Sequence, residues 1–145
     1  MVGTARTVTH DRPIAWRPVT DFQITIPDTP GSLVRFSAML READVNLIGL
    51  WGLGGHGAQA TFHCIPESPD QFRNFLASED MPCEEGTVFF LSGADRAGAL
   101  VRTLEQVAAL GINLRRIQSV SMAGEFGCFI WADPKDWNGL LEVLG

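Results

Sequence analysis

The sequence predicts an α+β fold made of two tandem βαββαβ units, each with an antiparallel sheet that helices cover on one face. Two observations support this prediction. When the sequence is shifted by 67 positions, residues 20–65 fall on residues 87–132 without a gap, and eleven of the forty-six positions are identical. Ordinary composition gives about three identities by chance. Short strand-like runs also alternate with apolar residues at helical spacing in both copies. We therefore infer an internal duplication.

Each copy begins with a strand, a turn and a helix. The first strands are residues 22–26, where apolar and polar residues alternate, and residues 88–91, which are apolar on both faces. Asp44 and Gly111 stand where the helices should end. Each helix should bury one apolar stripe, formed by Leu33, Phe36 and Leu40 in the first copy and by Leu100, Leu104 and Val107 in the second.

A β-hairpin and a second helix follow in each copy. Strands at 45–48 and 112–114 lead to turns at 54–57 and 123–124, and return strands follow at 58–65 and 126–132. Ser68-Pro69 and Asp133-Pro134 combine a capping residue with a first-turn proline, which is typical of a helix start. The second helices should bury Phe72, Phe75 and Leu76 in one copy and Trp137, Leu140 and Leu141 in the other. This order is ferredoxin-like.

The repeat divides the chain into three segments. Residues 20–86 form the first unit, with a fourth strand predicted near residues 81–85, and residues 87–145 form the second unit. The sequence leaves no room for a fourth strand after the last helix of the second unit. An unpaired sheet edge invites association, so we expect part of residues 1–19 to complete that sheet. Segments 5–10 and 14–19 contain the β-branched residues for this strand.

Charge and composition argue against several function classes. The formal net charge is −6 and Lys135 is the single lysine, whereas nucleic-acid binding needs clustered basic residues. No stretch reaches the roughly 18 apolar residues of a membrane helix, and no apolar signal segment opens the chain, so we expect a cytoplasmic protein. The three cysteines form no C-x-x-C pair and the three histidines match no zinc pattern. We expect no metal and no other cofactor.

One motif pair in each copy resembles the ACT domain. Residues 28–33 read Asp-Thr-Pro-Gly-Ser-Leu, and Asn46 opens the next strand fifteen positions after Gly31. In the second copy residues 95–100 read Asp-Arg-Ala-Gly-Ala-Leu, with Asn113 at the same spacing, although Ala97 replaces the usual proline. The resemblance covers residues 20–145. It implies a regulatory homodimer without enzymatic activity, which binds an amino acid or a similar metabolite at the interface between paired units.

The resemblance also implies which residues contact the ligand. They lie in the loop after the first strand and at the start of the second strand: Asp28, Thr29, Gly31, Ser32, Leu33, Asn46, Asp95, Arg96, Gly98, Ala99, Leu100 and Asn113. Physical reasoning agrees, because a helix N-terminus that follows a glycine accepts a carboxylate closely, and an aspartate accepts hydrogen bonds from an ammonium group. The structural alternative is that the aspartates cap the helices and the asparagines tie down the next turn.

Other functions remain open. An interaction module without a ligand would have the same fold. An acylphosphatase-like hydrolase shares the βαββαβ order and would use Arg35 or Arg102 with Asn46 or Asn113. However, both arginines fall inside predicted helices, and the glycine-rich phosphate loop of such enzymes is missing. The glycine-rich run at residues 52–57 resembles a dinucleotide-binding loop, but a strand follows it, so we predict a hairpin turn.

Overall fold

The computed structural model of the chain describes residues 14–94 and 98–144, except for the side chains at positions 55 and 56. The described residues have the predicted α+β, ferredoxin-like architecture. A short 3₁₀ turn, Pro134–Asp136, precedes the last helix. The elements in chain order are β1 Ala15–Pro27, α1 Ser32–Glu42, β2 Leu47–His56, β3 Gln59–Pro66, α2 Pro69–Ser78, β4 Cys83–Ala94, α3 Ala99–Ala109, β5 Leu114–Met122, β6 Glu125–Ala132 and α4 Trp137–Leu144.

The described chain divides into two compact units. The first unit comprises residues 20–87, and the second comprises residues 14–19 together with residues 88–94 and 98–144. Both boundaries lie inside long strands, one in β1 and one in β4. Of the two N-terminal segments considered for a strand, residues 14–19 include the start of β1, whereas residues 5–10 lie outside the described residues.

The first unit has the strand order β2-β3-β1-β4. β3 runs antiparallel to both of its neighbours, and Cys64 lies opposite Phe22 on one side and Leu50 on the other. Alternate residues of β1 point towards the helices, because successive side chains of a strand face opposite sides of the sheet. The resulting core combines Phe22, Ile24 and Ile26 from β1 with Phe36 and Leu40 from α1 and with Phe72, Phe75 and Leu76 from α2.

The second unit has the strand order β1-β4-β6-β5. Its core joins Phe89, Leu91, Cys128 and Ile130 of the sheet to Val107 of α3 and Leu140 of α4. Ile14 and Trp16 also pack against this core. The Trp16 and Phe89 rings lie 6.3 Å apart between their centroids.

A left-handed glycine precedes the first helix of each unit. Gly31 (φ 91°) and Gly98 (φ 84°) are the N-cap residues, so Asp28 is not the residue that caps α1. Residues with a side chain rarely adopt this conformation, which explains why both copies have glycine here. The helices end near the predicted positions, where Asp44 and Gly111 have φ values of 55° and 74°.

The gap-free repeat holds through the first helix of each unit and fails inside the hairpin. β2 shifts register against β3 twice, between Leu47 and Gly49 and again between Leu53 and His56, whereas β5 shifts against β6 once, near its start. A β-bulge inserts one extra residue into a strand. β3 therefore begins at Gln59 and β6 at Glu125, which is an offset of 66 positions rather than 67.

Because of this offset, two of the eleven identical residue pairs in the repeat have to be interpreted differently. Phe62 packs beside the core of the first unit. Phe129 instead lies between two core residues of β6 and faces the other side of the sheet, where its ring stacks on Phe90 with 4.7 Å between centroids. A shift of one residue turns every side chain of a strand to the opposite face. The pairs Phe62/Phe129 and Gly57/Gly124 are therefore not equivalent positions.

Two further sequence predictions were wrong in detail. Leu33 is 42% exposed, because the buried stripe of α1 is formed by Ser32, Phe36 and Leu40. β2 continues to His56, so the first hairpin turns at residues 57–58 rather than 54–57. The predicted core face of α4 is confirmed, because Leu140 is fully buried and Trp137 and Leu141 pack half-buried against the core.

Cys64 and Cys128 are fully buried. Burial raises the pKa of Cys64 to about 12 and that of Cys128 to about 11, so both thiols stay protonated at neutral pH. Within residues 14–94 and 98–144 no helix is long and apolar enough to cross a membrane.

Candidate ligand-binding site

The loop between β1 and α1 is fixed by the β2–β3 hairpin. The backbone N–H of Asp28 donates to the carbonyl of Ala58 in the hairpin turn, with 2.7 Å between the atoms. The Asp28 carboxylate lies over Gly54 of β2, where an added Cβ would come within 2.9 Å of a carboxylate oxygen. The glycine at position 54 therefore makes room for Asp28, and it stands at the bulge that the second unit lacks.

Three side chains gather at the N-terminus of α1. The hydroxyl oxygens of Thr29 and Ser32 lie 2.7 Å apart, and Ser32 is buried. The Arg35 guanidinium turns back along the helix, where its Nη2 donates to the Ser32 hydroxyl at 3.3 Å. Its Nη1 lies 3.5 Å from the place that a Cβ on Gly31 would occupy. At this end of α1 the guanidinium thus lies beside Gly31 and Ser32.

Asn46 does not lie with the loop of its own unit. β1 ends where β3 begins, with Pro27 opposite Gln59, whereas β2 begins where β3 ends, with Leu47 opposite Pro66. The two edges lie seven residue steps apart along β3, which is roughly 23 Å at the rise of a strand. Asn46 is exposed, and its carbonyl accepts from the Glu67 backbone N–H at 3.0 Å.

The second unit has the same layout with different side chains. Asn113 precedes the start of β5, whereas Gly98 precedes α3 at the opposite edge. Ala99 stands where the first unit has Ser32, and Leu100 packs against the core. Asp95 and Arg96, which the sequence also places in this site, lie outside the described residues.

Sequence reasoning missed two features of the first loop. Arg35 was considered only for a hydrolase, yet its spacing of three residues from Ser32 places both on one side of a helix. Gly54 was assigned to a turn, and the bulge beside it has no signal in the sequence apart from adjacent glycines.

Among the residues that the structure describes, no group of three His, Cys, Asp or Glu side chains is arranged to hold a metal ion. A groove of about 530 Å³ between α1 and α2 has an apolar floor formed by Met39, Val45 and Phe75, and Glu42 and Glu79 line it as well. None of the predicted ligand contacts lines this groove.

Comparisons with known proteins identify the fold. No family model matches the sequence, and no curated protein does. Among solved structures, protein BT0572 from Bacteroides thetaiotaomicron is similar with a TM-score of 0.76 and 19% identity, over 89% of this chain and 88% of that one. The regulatory subunit of aspartate kinase from Thermus thermophilus, in a ligand-free form, gives a TM-score of 0.60 and 16% identity, over 92% and 95% of the two chains.

A third similar structure is E. coli aspartokinase III, with a TM-score of 0.53 and 14% identity. The likeness covers 92% of this chain but 32% of the aspartokinase. At these identities the similarity concerns the fold. The chain therefore has the tandem ACT-like fold that is found in the regulatory domains of aspartate kinases.

Proposed function

We propose that this protein is a non-catalytic sensor that binds an amino acid at an interface between ACT-like units. The observation that carries this proposal is the α1 N-terminus, where Gly31 (φ 91°) precedes the helix and the Arg35 guanidinium lies beside it. The fold adds support, since the similar aspartokinase III structure is a complex with lysine and aspartate. A cytoplasmic location stays a prediction.

The first loop offers both kinds of contact that an α-amino acid needs. Backbone N–H groups and the helix dipole favour a carboxylate at the start of α1, and a glycine allows the ligand to come close. The Asp28 carboxylate accepts hydrogen bonds from an ammonium group. In this proposal Thr29, Ser32 and Leu33 complete the loop around the ligand.

In this proposal the asparagine that contacts the ligand comes from a different unit than the loop. Asn46 lies at the opposite edge of its own sheet, so the proposed interface brings the asparagine of one unit to the loop of another. The second loop is proposed to bind in the same manner, with Asp95, Arg96, Gly98, Ala99, Leu100 and Asn113 as its contacts.

The same geometry argues against the acylphosphatase-like alternative. Such an enzyme needs its phosphate-binding arginine and its water-orienting asparagine around one phosphate. Arg35 reaches the N-terminus of α1, and Asn46 lies at the other edge of the sheet, so the two residues of one unit do not share a ligand.

An interaction module without a ligand is the second candidate. The first unit exposes Val34 and Leu53, with 72% and 70% of their surfaces accessible. In this alternative a partner covers these apolar side chains.

A thermal-shift screen against the twenty amino acids tests the proposal. A ligand that binds only the folded state stabilises it and therefore raises the melting temperature. At a free ligand concentration a hundredfold above Kd, this stabilisation is about 2.7 kcal/mol. We expect a shift with at least one amino acid, and its loss in the variants Gly31→Val and Asn46→Ala. The matched control is Gly111→Val, which places a side chain at another positive φ outside the site. An absence of any shift favours the interaction module.

A further inference from the structure

The groove between α1 and α2 is formed by one face of each helix. Gln71, Phe75 and Glu79 line it at intervals of four residues along α2, and Met39 and Ala43 line it at the same interval on the side of α1. Its volume of about 530 Å³ falls within the range of roughly 300–1,000 Å³ that small-molecule sites occupy. The groove is therefore large enough for an elongated small ligand.

The two acidic residues of the lining lie towards opposite ends of the groove. Glu42 is the last residue of α1. It lies near the start of α2, because the carbonyl of Asp44 accepts a hydrogen bond from Gln71 Nε2 at 3.2 Å. Glu79 is the C-cap residue at the other end of α2. Eight helical steps separate Gln71 from Glu79, which is roughly 12 Å. The apolar floor of the groove lies between the two carboxylates.

The lining does not balance this negative charge. Among the described residues that line the groove none is basic, and neither Glu42 nor Glu79 forms an ion pair with another described residue. Arg41, in the last turn of α1, does not line the groove, and Arg73 of α2 is held in ion pairs outside it.

The helix dipoles add to the same charge. Both helices end at the groove, with Ala43 and Glu79 as their C-cap residues. A helix C-terminus carries roughly half a negative charge, and basic side chains are the ones that stabilise it. Glu42 and Glu79 are thus placed against the local electrostatic preference, and a cationic ligand compensates for this placement.

We propose that the groove binds a linear aliphatic polyamine, a ligand with ammonium groups spaced along a methylene chain. One terminal ammonium donates hydrogen bonds to Glu42 and the other to Glu79. The methylene chain covers the apolar floor, as the stem of a lysine side chain covers apolar surface. Amino-acid binding at the β1–α1 loop is a separate function, because none of residues 28–33 lines the groove.

The experiment is calorimetric titration of the full chain with spermidine at low ionic strength, and we expect one spermidine to bind per chain. Glu42→Gln and Glu79→Gln should each weaken binding about fivefold, which is the most that an ion pair at an exposed site contributes. The double variant should lose the product of the two factors. Glu105→Gln is the matched control, since it removes the same charge from the exposed surface of α3, and it should leave binding unchanged.

Two further comparisons test the position and the shape of the site. Asn74→Trp fills the groove without a change of charge and should abolish spermidine binding, whereas Ala77→Trp adds the same side chain to α2 outside the lining and should not. Magnesium ions, titrated at the same ionic strength, should bind more weakly than spermidine because they have no chain to cover the floor.

Four results would overturn the proposal. If wild type does not bind spermidine, the ligand class is wrong. An equal loss in Glu105→Gln would show that the net charge of −6, and not the groove, attracts the polyamine. Equal affinity for magnesium would indicate a simple counterion. A double variant that binds as well as the single variants would show that the two carboxylates do not hold separate ammonium groups. Melting curves of the unliganded variants establish that each one is folded.

Discussion

Two glycines in β2 leave space for side chains from neighbouring segments. A Cβ on Gly52 would lie 2.3 Å from the Phe62 ring, and a Cβ on Gly54 would lie 2.9 Å from the Asp28 carboxylate. The first contact belongs to the core of the first unit, and the second belongs to the candidate site. Glycine at these positions is therefore a packing requirement, although neither residue has a positive φ.

Gly52→Ala is expected to destabilise the protein. The added methyl group must displace the Phe62 ring, and overpacking of this kind costs about 1–3 kcal/mol. The measurement is the midpoint of urea unfolding. Gly86→Ala in β4 is the control, since a Cβ there meets nothing within 4 Å. Equal midpoints for the two variants would show that Phe62 moves aside freely.

Single residues of the site were partly predictable from the sequence. The motif correctly placed Gly31 at the start of a helix. This prediction required only the local backbone conformation and no knowledge of side-chain contacts. The exposure of Leu33 was not predicted, since the burial of Ser32 rotates the buried stripe of α1 by one position. The place of the Arg35 guanidinium depends on a side-chain hydrogen bond, which no sequence pattern fixes.

Strands and helices were more predictable than the hairpin that joins two of them. Turn residues, caps and apolar periodicity gave the element order, because these signals are local. The bulge between Leu53 and His56 depends on how β2 pairs with β3. It therefore passed unnoticed in a gap-free alignment, and the alignment matched Phe62 to a residue on the other face of the second sheet.

The prediction at the scale of secondary-structure elements concerns the start of β1. We propose that residues 15–19 are the fourth strand of the second unit. Ile14 and Trp16 pack against the second core, and β1 is the neighbour of β4 in the strand order. Deleting residues 1–18 should expose this core and lower the melting temperature by several degrees, since about 1 kcal/mol corresponds to roughly 4–8 °C in a small domain.

A shorter deletion of residues 1–13 is the control, because it keeps Ile14 and Trp16. We expect it to have the smaller effect on melting. Identical melting curves for the full chain and the longer deletion would contradict the strand assignment.

At the scale of the whole molecule, we expect the chain to form a homodimer. β5 is the outer strand of the second sheet, and its Val120 and Met122 are 62% and 75% exposed. An exposed strand edge with apolar side chains favours association. Light scattering at micromolar concentration should give twice the chain mass of 15.8 kDa.

The variant Val120→Lys should shift this equilibrium towards the monomer, whereas Val34→Lys on α1 is the control for an added surface charge. A monomeric mass for wild type would reject the dimer. If Val34→Lys alone dissociates the dimer, the interface lies on α1 and not on β5.

The central claim is that an amino acid binds at the β1–α1 loop of the first unit. Its most direct test is the NMR spectrum of the isotope-labelled protein, recorded with and without the amino acid selected by the thermal-shift screen. Backbone N–H groups that begin to donate to a carboxylate change their chemical shifts strongly. The account predicts that the largest changes occur at residues 28–33, and that Gly31→Val reduces them. Changes confined to the groove lined by Met39 and Phe75, with the loop signals unmoved, would contradict it.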